Sequence, residues 1–95
     1  MKVAVSFVSA PNAARAVGGN SVELEINGGT IADLVQEMTK QYGEPLGRYL
    51  LDASGQLDQS FRVVLETGEW LTRDQLDRPL GDGDRVTIAM LVGGG

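Results

Sequence analysis

Two apolar strands with one amphipathic helix between them leave this chain few ways to fold. Residues 2–8, KVAVSFV, place Val3, Val5 and Phe7 on one face and Ala4, Ser6 and Val8 on the other. That alternation reads as a strand covered on both sides. Near the other end, DRVTIAML sets Val86, Ile88 and Met90 against Thr87, Ala89 and Leu91. Between them, Thr30 is an N-cap with Asp33 in the capping-box position, and Ile31, Leu34, Val35, Met38 and Tyr42 follow at helical spacing. Gly43 ends that helix after about three turns, with Pro45 just beyond. The helix needs a sheet face and the two richest strands need central places. Set side by side they are parallel, with the helix in the crossover, which predicts an α+β fold.

The remaining segments supply the edges. In SVELEINGG, Val22, Leu24 and Ile26 point inward and Glu23 and Glu25 outward, the pattern of a half-exposed strand. The stretch SAPNAARAVGGN, with Pro11 and a Gly18-Gly19-Asn20 turn, reads as a loop that makes a hairpin of the first two strands. Leu46, Tyr49, Leu50 and Leu51 predict a short helical turn under the sheet, followed by a solvated loop, DASGQLDQS. Phe61–Leu65 and Glu69–Leu71 read as short strands around Thr67-Gly68. A helical turn is expected to open near Thr72 and Arg73-Asp74, and Asp82-Gly83 is a turn. The expectation is one mixed sheet of four to five strands wrapped around one helix.

Composition removes several functions. The chain has no Cys and no His, so disulfides, thiol catalysis, Cys-ligated metal and His-based acid–base machinery are excluded. No metal site is expected, and no other side chains converge on a catalytic constellation. The net charge is −5 and the eight Lys and Arg residues are scattered, which argues against nucleic acid and suits a basic groove on a protein partner. Gly18-Gly19 and Gly28-Gly29 lack the spacing and the lysine of a phosphate loop and read as turns. The apolar run Val3–Val8 is too short, and is broken by Ser6, for the h-region of about 7–15 residues that a signal peptide needs. Nothing approaches the roughly 20 apolar residues of a membrane span. A cytoplasmic location is expected.

The chain finishes AMLVGGG. Leu80, Asp82-Gly83-Asp84, the alternating Val86 and Ile88, and the tail Val92-Gly93-Gly94 together resemble the ubiquitin-like β-grasp fold. More narrowly they are similar to its sulfur-carrier family: the small subunit of molybdopterin synthase, the thiamine-pathway carrier and a carrier of cysteine biosynthesis. The outline covers the whole chain, and the specific part runs from Leu80 to the end. Two departures stand out. The family often has proline shortly before the glycines where this chain has Ala89-Met90-Leu91, and it ends in two glycines where this chain has three.

The resemblance implies a β-grasp domain over residues 1–92 and a flexible glycine tail over 93–95. It implies a carrier rather than an enzyme, of the kind that serves as the non-catalytic small subunit of a sulfur-transfer enzyme. The reacting group would be the C-terminal carboxylate of Gly95, or of Gly94 if a protease removes Gly95. An activating enzyme would adenylate it with ATP and magnesium, and the thiocarboxylate so formed would donate sulfur in molybdopterin or cysteine biosynthesis. No cofactor would be bound by the carrier itself. The same tail could instead join lysines, as in a ubiquitin-like modifier. Glycine has no Cβ to widen a strand threaded through a channel. Ordering each such residue costs on the order of 1 kcal/mol or more, which docking of the body must offset. The expected partner-binding residues are Val92, Gly93 and Gly94 in the tail, with Ala89 and Leu91 on the outer face of the last strand and Val64 and Trp70 beside it.

Overall fold

Both faces of Lys2–Val8 (β1) can be covered, and β1 accordingly lies inside a five-stranded sheet. The computed structural model describes residues 1–27 and 29–91. Ser21–Glu25 (β2) pairs antiparallel with β1, from Lys2 opposite Glu25 to Ser6 opposite Ser21. The last strand, Arg85–Met90 (β5), lies on the other side of β1 and parallel to it, from Ala4 opposite Arg85 to Val8 opposite Ala89. Phe61–Leu65 (β3) pairs antiparallel with β5, and the two-residue Trp70–Leu71 (β4) closes the edge against β3. The order is β2-β1-β5-β3-β4. The parallel central pair is the arrangement that the burial demands of β1 and β5 predict.

The main helix is Ile31–Tyr42 (α2), which follows the shorter Pro11–Val17 (α1) and β2. The Thr30 hydroxyl accepts from the Asp33 N–H at 3.2 Å, and the Asp33 carboxylate accepts from the Thr30 N–H at 3.1 Å. This reciprocal cap satisfies donors that a helix start leaves free. Ile31, Leu34, Val35 and Met38 are buried and share one core with Val3, Val5, Phe7, Val86 and Ile88. Gly43 ends α2 and starts Glu44–Leu50 (α3) with a φ of +77°, a region that favours glycine.

Two expectations need correction. Residues 9–20 are not only loop: Pro11–Val17 form a helix (α1) that packs on α3. Pro11 stands in the first turn, where its missing N–H costs nothing and its φ suits the helix. Ala13 and Ala14 are small enough to be buried there. Among the described residues the sheet therefore carries three α-helices rather than one, and β1 and β2 are joined through α1 instead of by a tight hairpin.

The segment between α3 and β3 has a visible task. Leu57 within it is buried alongside Leu50 at the end of α3, so this loop plugs the core. Asp52 pins it: its Oδ1 accepts from the Ser54 hydroxyl at 2.6 Å and from the Ser54 and Gln56 N–H groups, while Oδ2 meets Arg73 at 2.7 Å. The Ser54 hydroxyl first, then those N–H groups and Arg73, lower the Asp52 pKa to about 2 from its ordinary 3.8. A depressed folded pKa means the unfolded chain binds more protons between those values. The stabilisation is present above about pH 4 and is lost as pH falls toward 2. Asp52→Asn should flatten that part of the acid-unfolding profile, read by circular dichroism between pH 5 and 2. An unchanged profile would show that the Asp52 cluster carries no linkage.

Candidate functional site

Strand pairing gathers the outer residues of the sheet into rows. Val8, Ala89 and Arg62 stand opposite one another in one row, and Thr87, Val64 and Trp70 in the next. Residues opposite each other, or two apart on one strand, share a face. Leu91, two residues after Ala89, continues the same face, and its N–H donates to the Ser60 carbonyl at 2.8 Å. The β3–β5 ladder thus holds the chain up to Leu91. Val92, Gly93, Gly94 and Gly95, read from sequence as the working tail, lie outside the described residues.

Trp70 is 57% exposed, Val8 51% and Leu91 45%, and Val64 is half-buried between Thr87 and Trp70. Single exposed hydrophobics are ordinary, but several on one face beside a strand end make the kind of patch from which interaction surfaces are built. An exposed Trp is especially telling, because Trp is enriched at the energetic centres of interfaces. Ala89 needs correction as an accessible contact. It is only 7% exposed, a short side chain in a row with the larger Val8 and Arg62. It forms the floor of the strip rather than a knob on it.

Two exposed residues near the end of β5 were not among the sequence candidates. Val8 had a signal, since the alternation of β1 already put it on the outer face. Met90 had none: the same alternation on β5 points it inward, yet it is 38% exposed because the core on that face ends two residues earlier, at Ile88.

The polar side of this face lies toward the start of β1, where Lys2, Glu23, Asp84 and Arg85 line a groove. A depression of about 650 Å³ runs between α2 and α3 and is lined by polar residues including Asp33, Glu37, Lys40 and Glu44. It shares no lining residue with the strip. Among the described residues no group of acidic side chains is arranged to hold a metal ion, and no helix is long and apolar enough to cross a membrane.

No protein-family model and no curated protein sequence matches this chain. Solved structures do. SAMP1, a small archaeal modifier protein of Haloferax volcanii, superposes with a TM-score of 0.79 at 19% identity over 100% of both chains. The BexX/CysO complex of Amycolatopsis orientalis contains a chain that matches with a TM-score of 0.69 at 25% identity, over 98% of this chain and 99% of that one. A putative molybdopterin converting factor, subunit 1, from Pyrococcus furiosus gives 0.68 at 21%, over 97% and 99%. The shared architecture is a mixed sheet with a crossover helix and a central last strand. This chain has the ubiquitin-like β-grasp fold, as the sequence resemblance implies.

Proposed function

We propose that this protein is a sulfur carrier that works through its C-terminal carboxylate. The observation that carries this reading is the placement of β5. The strand is central and hydrogen-bonded on both sides, and it runs to Leu91 beside an exposed apolar strip, with the glycines next in the sequence. A free α-carboxylate, with a pKa of roughly 3.3–3.7, is an anion and a poor electrophile at neutral pH. An activating enzyme supplies ATP and magnesium. The carboxylate oxygen attacks the α-phosphorus, pyrophosphate leaves, and an acyl-adenylate forms. A sulfur nucleophile then displaces AMP and leaves the thiocarboxylate. Gly95 carries that group, or Gly94 if the last residue is removed. An acceptor enzyme of molybdopterin or cysteine biosynthesis takes the sulfur, a destination supported by the likeness to a converting-factor subunit and to CysO.

The body's contribution in this scheme is docking. Trp70, Val64, Val8 and Leu91 bury apolar area against the enzyme and offset the ordering of the glycines. Trp70→Ala should raise the KM for the carrier roughly 30-fold and leave kcat nearly unchanged, since a lost anchor is worth about 2 kcal/mol of uniform binding. An unchanged KM would remove Trp70 from the docking surface.

The test of the reading itself is incubation with the host's adenylating enzyme, ATP, magnesium and sulfide. Intact mass should rise by the difference between sulfur and oxygen. The likeness to a small archaeal modifier protein favours a second outcome, in which the same adenylate yields isopeptide bonds to lysines. A ladder of large adducts would mark that use. Neither product from an active enzyme would refute both.

A further inference from the structure

Strand geometry decides what an enzyme meets when it encloses this tail. Met90 and Leu91 are consecutive, both are exposed, and they point to opposite faces. Leu91 belongs to the outer strip. Met90 lies on the helix side, at the rim of a nook of about 50 Å³ formed by Ala10, the start of α1, Tyr49 of α3 and Phe61 of β3. A water needs roughly 10–15 Å³ by this measure, so the nook has room for one small aliphatic side chain. Tyr49 at its edge is 44% exposed.

Reach and charge say what covers it. Four residues follow Leu91 in the sequence, and at about 3.3–3.6 Å each they span at most roughly 14 Å. An active site working on the last carboxylate must therefore bring its rim onto the surface around Met90 and Leu91. Because water must be kept from a mixed anhydride, that rim has to close on both sides of the strand. This end of the sheet also carries cations without acidic partners among the described residues. Arg62 stands on the outer face, its guanidinium donating to the Gln59 and Phe61 carbonyls. Arg15 is exposed on α1, one turn from Pro11 and on the same side. The carboxylates nearby are already engaged, Asp58 by Ser60 and Glu44 by Arg48. Glu23, Glu25, Glu66, Asp82 and Asp84 sit at the opposite end of the sheet strands.

We propose that the activating enzyme grips the tail strand from both faces, seating a small aliphatic side chain in the α1–α3 nook beside Met90 and turning an acidic rim toward Arg15 and Arg62. The acidic body thus presents a locally basic mouth to its partner. This inference rests on the sulfur-carrier reading.

The test is ATP–pyrophosphate exchange by the host's adenylating enzyme with the full chain as substrate. Met90→Glu puts a carboxylate at the mouth of the nook and should raise the KM for the carrier roughly tenfold or more. Arg15→Glu, at an exposed position, should raise it about three- to tenfold, with the effect shrinking as salt is added. Glu23→Arg, at the opposite end, should leave it unchanged. Melting curves check that all three fold. If the wild-type chain supports no exchange, the sulfur-carrier reading fails and takes this inference with it. If the wild type exchanges and both Met90→Glu and Arg15→Glu keep its KM, this inference alone is overturned. It is equally overturned if these variants slow only transfer to the acceptor enzyme, or change only self-association, because the nook then belongs to another occupant.

Discussion

Removing Gly94 and Gly95 should abolish loading of the carrier while leaving its melting temperature where it was. The two residues account for about 7 Å of extended chain. Adenylation requires the reacting oxygen within roughly 3–3.5 Å of phosphorus, and misplacement by about 1 Å already costs on the order of a hundredfold. A carboxylate drawn back by several ångströms cannot be compensated by sliding the body forward, because in the proposed complex docking of Trp70 and Leu91 fixes where β5 ends. Stability should not follow activity. Among the described residues the buried cluster ends at Ile88, and the last ladder bond is that of Leu91 to Ser60. Gly94→Ala keeps the length and adds only a Cβ, so it should slow loading by less than the deletion does. Intact mass after incubation with the adenylating enzyme, ATP and sulfide reads all three chains. Full-rate loading of the truncated chain would show that the tail is incidental.

How much of this was legible in sequence varied with how local the cause was. The α2 helix was readable because its cap, its apolar spacing and its stop are all written within a few turns. β1 and β5 were readable as a central parallel pair because only covered strands tolerate apolar residues on both faces. α1 was not readable. Seven residues are too few to be stable alone, and α1 exists because it buries Ala13 and Ala14 and packs against α3, about 30 positions away. Pro11, which looked like a loop residue, is there the helix start. Alternation also gave faces without giving coverage. It placed Ala89 outward and Met90 inward correctly as directions, yet Ala89 is hidden by its row neighbours and Met90 emerges at the end of the core. Trp70 lies on a two-residue strand, too short for periodicity, and its outward direction follows only from pairing with Val64.

Phe61→Ala should be among the most damaging single changes to the body. The ring is 1% exposed, starts β3, stands opposite Met90 and shares the core with Val63 and Ile88. Truncating a buried Phe costs about 3–5 kcal/mol through lost transfer energy and the cavity left behind. A domain of this size has about 5–15 kcal/mol in all. At roughly 4–8 °C per kcal/mol for a domain of 60–100 residues, the midpoint should fall by at least about 12 °C, with the unfolding transition still cooperative. The same ring lines the nook beside Met90, so its loss also loosens the ground from which the tail departs. Loading measured well below the lowered midpoint separates the two effects. A carrier that is folded but loads with a raised KM has lost the shape of its mouth, and one that loads normally has lost only stability. A shift of less than a few degrees would mean that the space around Phe61 collapses or fills with water, and the nook would then be too soft to hold a partner's side chain.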